Sequence, residues 1–124
     1  MKALTLSTFS SPPTLTTKPI PTPTPGSLVV KILSTSVLAY AKEVYITRSR
    51  PYPMQLPLTI GSSAVGRVHS LGPDATSLIE GQLVLVDSFF KARDEPGNQF
   101  LFGLYEGGSE GSRKLMGGMW RDAT

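Results

Sequence analysis

Proline and glycine limit this fold before any other residue type is considered. The 124 residues include 11 prolines and 12 glycines. Proline removes a backbone donor, and glycine weakens helix and strand interiors. That punctuation favours turns and short strands over long helices. The densest case is SPPTLTTKPIPTPTPGS, residues 11–27. Its spaced Pro–Thr pairs favour extended polyproline backbone. Lying tight between two strand-like segments, it reads as an ordered edge segment. A Pro-rich ligand for a partner domain, using residues 12–25, is the alternative. Pro25-Gly26 predicts a type II turn at its end.

The segments between these breaks have strand patterns. MKALTLS alternates, with Lys2, Leu4 and Leu6 on one face and Met1, Ala3 and Thr5 on the other. SLVVKILSTSVL is β-branched and apolar, with Lys31 facing out. AYAKEVYITRS carries the one short helix, near 39–47, where Ala41, Val44 and Tyr45 share a side. GSSAVGRVHSL is a strand ended by a turn at Gly72-Pro73-Asp74, and a glycine turn at Gly81 leads into a buried strand, Leu83 to Val86. From Lys91 to Gly118 the chain turns polar and then glycine-rich, which predicts a long surface loop, mobile over 91–115, with no core element. MWRDAT then resumes the strand pattern. The fold class is mainly β, a barrel or sandwich with one short helix and a long glycine-rich loop. At 40% hydrophobic residues the composition is globular.

Composition and motifs exclude much chemistry. Cysteine is absent, so disulfides, thiol nucleophiles and cysteine-bound metals are excluded. Twelve basic against nine acidic residues give +3, but the cations are scattered and only Arg113-Lys114 are adjacent. Without a basic stripe or aromatic platforms, no nucleic-acid partner is expected. No apolar run approaches the ~18 residues of a membrane span, and the N-terminus lacks a signal-peptide core. A soluble, cytoplasmic protein is the expectation. No G-x-G-x-x-G or P-loop glycine pattern provides a phosphate cradle. The single His69 has no second histidine, and no serine is read as a nucleophile.

The remaining constellation is PLTIGSSAVGRVHSLGPDATSLIEGQLVLV, residues 57–86. Its P-x-x-x-G-x-x-x-x-G-x-V-x-x-x-G layout, followed by G-x-x-V, resembles the N-terminal, GroES-like half of the medium-chain dehydrogenase/reductase family. So do MKAL, PGSLVVKI, STSVLAYAKEV and MWRDAT, and LVLVDSF with LMGGMWRDAT is most similar to the fungal zinc-independent members. The resemblance implies a GroES-like partial barrel over residues 1–124, incomplete at its C-terminus and without the nucleotide-binding Rossmann domain. Relatives carry a glycine at the position of Ala123 and run on.

The zinc-dependent relatives ligate a catalytic metal with a cysteine where this chain has Leu38, and with a His-Glu pair where it has Ser62-Ser63. Those residue types are no zinc ligands, and the cysteine lobe that would fall in 91–118 has no cysteine. The resemblance therefore implies no zinc. It implies hydride transfer between NADP(H) and a small-molecule carbonyl or enone in a longer form, with residues 1–124 alone inactive. A stand-alone GroES-like binding module is the alternative function.

The substrate cleft would be lined by Leu38, Gly61, Ser62 and Ser63, with Gly61 as a tight turn or a plain barrel corner. The two serines either hydrogen-bond substrate or cofactor, or fill a vacated metal site. Gly66 is read as a close-packing position in its strand. Tyr40 lies where relatives place a proton-relay hydroxyl, so its phenol is the catalytic candidate; packing in the barrel wall is the alternative. Tyr45 has the same two readings. Lys42 and Arg48 either meet a cofactor phosphate or form a solvated helix face, and His69 is a surface side chain. Oligomeric state stays open.

Overall fold

The computed structural model describes residues 1–92 and 94–116. Among the described residues ten short elements follow one another. They are β1 (Lys2–Leu6), β2 (Thr14–Thr17), β3 (Leu28–Thr35), α1 (Ala41–Tyr45), β4 (Leu58–Thr59), β5 (Ala64–Leu71), β6 (Leu83–Val86), β7 (Phe89–Lys91), β8 (Gln99–Leu101) and α2 (Glu110–Met116). The protein is mainly β, arranged as sheets ordered β2-β1-β4, β3-β5-β6 and β7-β8, every pair antiparallel.

The Pro-rich segment is ordered at an edge. β2 forms within it, and its prolines flank the strand, so none removes a ladder donor. The segment ends in the expected turn: Gly26 has φ +77°, and the Ser27 N–H donates to Thr24 O at 3.0 Å. The Asp74 carboxylate accepts the Gly26 N–H at 2.8 and 2.9 Å, which fastens this turn to the one after β5. On β1, Ala3 and Thr5 face inward with Leu6, whereas Leu4 is exposed.

The long β3–β5 pair is bulged twice, and Gly66 sits at its centre opposite Ile32. A Cβ on Gly66 would collide with Val30 and the Lys31 carbonyl. Glycine is there because the neighbouring strand passes too closely for any other residue.

Two expectations are corrected. β6 forms where the sequence places it, but it is not buried: Leu83 is 56% and Leu85 75% exposed. It lies at the edge of its sheet, and one of its faces is uncovered among the described residues. The second correction concerns 91–115, which is not a structureless surface loop. It holds β8 and most of a second helix, α2, and it contributes to the core. Phe100 is fully buried, and Leu104, Ser112 and Met116 are buried with it. Phe90 and Phe100 stack at 5.3 Å, and Phe102 meets both rings edge-on at 4.2 and 5.2 Å.

The physical reason lies in the caps and turns. Ser109 accepts the Ser112 N–H at 3.0 Å, an N-cap that starts α2 despite Gly111 inside it. Gly111 stands in the first turn of α2 and not in its interior, where glycine would cost about 1 kcal/mol, and burial of Met116 anchors the other end of the helix. The resumption at MWRDAT, with Trp120 and Ala123, lies outside the described residues.

Candidate functional site

The site is organised around the bend between β4 and β5. Backbone pairing with β1 continues to Ile60, whose N–H donates to Leu4 O at 3.0 Å. Gly61, Ser62 and Ser63 then lead into β5. Ser63 fastens three strand ends: its carbonyl accepts Thr35 Oγ1 at 3.2 Å, from the last residue of β3, and Ser36 N at 3.3 Å, from the residue after it, and its hydroxyl accepts Ser88 N at 3.4 Å beyond β6. Ser62 Oγ and Ser36 Oγ lie 2.8 Å apart. Beside this hydroxyl cluster runs an open groove of about 300 Å³, with Ser34, Thr35 and Ser36 on one side and Ser63, Val65 and Leu85 on the other. A groove rimmed by hydroxyls and floored by aliphatic carbon can hydrogen-bond a neutral oxygen function while covering an apolar body.

Ser36 is a member of the cluster that sequence reasoning missed. It follows β3 immediately, and only the β3–β5 register brings it to Ser62.

Gly61 is held from behind. The Tyr45 hydroxyl, buried on α1, donates to Gly103 O at 2.6 Å. A Cβ on Gly103, whose φ is +63°, would collide with the backbone of Gly61. What comes close to Gly61 is therefore another part of this chain, the turn after β8. Burial pushes the Tyr45 phenol up to about 12, against a backbone hydrogen bond with Gly61 that favours the phenolate; Tyr40 adds a smaller upward push. At neutral pH the phenol is a protonated donor locked to a carbonyl.

The other candidates separate from the serines. Leu38 and Tyr40 pack against the buried cluster of Leu6, Val44, Tyr45 and Leu104. Tyr40 precedes α1, and the Arg50 guanidinium lies 4.6 Å above its ring. No hydrogen bond joins Tyr40 to the serines among the described residues. Arg48 is neither a free phosphate ligand nor part of a solvated face. Its guanidinium donates to Val44 O at 2.9 Å and Tyr52 O at 3.0 Å and covers the Phe9 ring at 4.0 Å. Lys42 and His69 are exposed.

Ser109 stands in a G-x-S-x-G string, Gly107 to Gly111, the spacing of a nucleophile elbow. Its hydroxyl instead donates to Asn98 Oδ1 at 2.9 Å and lies 2.8 Å from Ser112 Oγ, the bonding of a cap and not of a nucleophile with its base. Among the described residues no three His, Cys, Asp or Glu side chains gather to hold a metal.

Residues 24–122 match the alcohol dehydrogenase GroES-like domain. The chain belongs to that family. This GroES-like domain is the N-terminal domain of medium-chain dehydrogenase/reductases, as its fold neighbours also indicate. A Haloferax mediterranei glucose dehydrogenase is similar at TM-score 0.65 and 26% identity, over 89% of this chain and 34% of that one. Another structure of a glucose dehydrogenase from that organism holds NADP, zinc and gluconolactone. A mycobacterial protein complexed with NADPH is similar at TM-score 0.60 and 27% identity, over 72% of this chain and 28% of that one. An alcohol dehydrogenase superfamily protein of Novosphingobium aromaticivorans gives TM-score 0.63 and 23% identity, over 71% and 27%. The chain thus spans about a third of the length of the structures it matches. A search of curated proteins found no match. No helix among the described residues is long and apolar enough to cross a membrane.

Proposed function

We propose that this GroES-like domain is the substrate side of a zinc-independent, NADP(H)-dependent oxidoreductase acting on a small-molecule carbonyl or enone in the cytoplasm. The observation that carries the reading is the donor set at the bend. Where zinc-dependent relatives present thiolate and imidazole, this chain presents Ser62 and Ser63 in a hydroxyl cluster and turns Leu38 toward the core. A neutral hydroxyl is a poor zinc ligand and a good partner for a carbonyl oxygen. These residues do not fit a catalytic zinc.

They do not fit a nucleotide pyrophosphate either. Among the described residues no glycine-rich turn leads from a strand into a long helix, and α1 has only five residues. NADP(H), which supplies the hydride when bound, is assigned to a second domain of the kind full-length relatives carry. What residues 1–124 contribute is orientation: Ser62 and Ser63 hold the oxygen function, the aliphatic floor at Val65 and Leu85 covers the body of the substrate, and Tyr40 is the candidate proton donor. Without an oriented nicotinamide the proximity contribution, about 7–11 kcal/mol in favourable cases, is lost, so residues 1–124 alone are expected to be inactive.

Elemental analysis of the purified chain is expected to find no stoichiometric zinc; one zinc per chain overturns the reading. Fluorescence titration is expected to show no tight NADPH binding, and micromolar binding would place a nucleotide site in this chain. In any longer form, Tyr40→Phe lowers turnover if the phenol delivers the proton, and unchanged turnover assigns Tyr40 to packing.

A further inference from the structure

We propose that Thr24 is a phosphorylation site for a proline-directed protein kinase, and that its phosphate opens the clasp between the turn into β3 and the turn after β5. The first observation is presentation. Pro19, Pro21, Pro23 and Pro25 alternate with Ile20, Thr22 and Thr24. The segment joins no sheet among the described residues, and its two faces differ. Pro21 and Pro23 are half-buried, whereas Ile20, Thr22 and Thr24 are exposed. Alternation with period two is that of an extended chain, here with prolines toward the protein and hydroxyls toward solvent. Such a chain presents a hydroxyl with proline directly after it. It is no ligand for a proline-reading groove: no two of its prolines stand three residues apart, the spacing that aligns them on one face of a polyproline helix.

Ser11-Pro12, Thr22-Pro23 and Thr24-Pro25 are the hydroxyl–proline steps of the sequence. The second observation selects Thr24. Its hydroxyl lies 3.3 Å from Ser27 Oγ, longer than an ordinary bond between hydroxyls. Ser27 Oγ is already engaged, donating to Thr24 O and accepting the Thr24 N–H, both at 2.8 Å. The third observation is the clasp. Gly26 N–H donates to both Asp74 carboxylate oxygens, at 2.8 and 2.9 Å, and Gly72 N–H donates to Ser27 O at 3.0 Å. A Cβ on Gly72 would collide with the carbonyls of Thr24 and Ser27, so the two turns touch backbone to backbone. Among the described residues Asp74 is in no ion pair.

In the transfer, Thr24 Oγ1 bonds to the γ-phosphorus of ATP, and the bond from that phosphorus to the β–γ bridging oxygen breaks. ADP leaves with the electron pair, and the hydroxyl proton passes to the kinase's catalytic base. The product carries a charge of about −1.5 to −2 on the turn whose N–H holds Asp74. Like charge drives the carboxylate off Gly26, and the phosphate oxygens compete for the same donor. The clasp opens at the Leu28–Leu71 end of the β3–β5 pair. The cluster of Ser36, Ser62 and Ser63 stands at the other end, so this site is independent of the substrate side.

The test treats the full 124-residue chain with MgATP and a proline-directed serine/threonine kinase and locates the phosphate by fragmentation mass spectrometry. Phosphate is expected on Thr24, lost in Thr24→Val and kept in Thr22→Val. Amide exchange is then compared between the phosphorylated and unmodified chains. It is expected to rise at least about tenfold at Gly26 and Gly72 and to stay unchanged at Ser36. The rise is expected to shrink in about 1 M salt, where screening acts over about 3 Å. It is expected to shrink also in Asp74→Asn, which keeps an acceptor without the charge; should that variant fail to fold by circular dichroism, the salt dependence carries the charge test. No phosphate, phosphate only at Ser11 or Thr22, equal exchange in the two forms, a rise unmoved by salt, or a rise as large at Ser36 as at Gly26 would each overturn the proposal.

Discussion

Two glycine-bearing stretches of this chain, 57–81 and 97–111, use the same residue for the same physical purpose but look different in sequence. In the first, Gly61, Gly66, Gly72 and Gly81 are separated by strand-like residues, and each reads as a bend or a turn in a β pattern. In the second, Gly97, Gly103, Gly107, Gly108 and Gly111 crowd together among polar residues and read as a mobile loop. The structure makes several of the second set points of closest approach. A Cβ on Gly103 would strike Gly61, and one on Gly111 would strike Asn98. Glycine density signals freedom in the unfolded chain, but in a folded one it can equally mark where two backbones touch. Only the long-range contact distinguishes the two.

Phe100→Ala puts this contrast under the greatest stress. If 97–111 were a surface loop the change would be nearly neutral. With Phe100 at 0% exposure, the expected loss is about 3–5 kcal/mol in urea unfolding, whereas Leu85→Ala, on the exposed edge, stays within about 0.5 kcal/mol. Next is Gly103→Ala, which adds a side chain at positive φ and against the Gly61 backbone. The expected loss is about 2–4 kcal/mol, and amide exchange should speed up at Ser62 and Ser63 as well as at Gly103, because the turn braces the bend.

Tyr45 probes the same link through pH. Its folded-state pKa of about 12 lies above the ordinary 10.0, so its contribution is complete below pH 10 and is lost as pH rises through 12. Over that window wild type should lose about 2–3 kcal/mol of stability that Tyr45→Phe does not lose. At neutral pH the same variant should be weaker by about 1 kcal/mol, for the hydrogen bond to Gly103. The smallest effect is the control. A Cβ on Gly97 meets nothing, so Gly97→Ala is expected to stabilise by about 0.4–1 kcal/mol by restricting the unfolded chain. A loss as large as that at Gly103 would mean that position within the stretch does not matter.

Local events were written in the chain itself. Pro25-Gly26 had to turn, the β-branched run around Val29-Val30 had to extend, and Ala41 to Tyr45 had to coil briefly, because each depends on the dihedral freedom and side-chain period of neighbouring residues. Gly66 was legible for the same reason: a glycine inside a strand pattern already implies a close neighbour. The candidate site was legible at Gly61, Ser62 and Ser63 because they form one short motif. It took the folded arrangement to bring Ser36 to them, to set Gly103 and Tyr45 behind the bend, to spend Arg48 on backbone carbonyls, and to leave β6 open while burying Phe100. Each of these depends on which distant segment arrives alongside. Burial and hydrogen bonding are set by the neighbours a residue meets in space, and the residues adjacent to it in the chain do not name them.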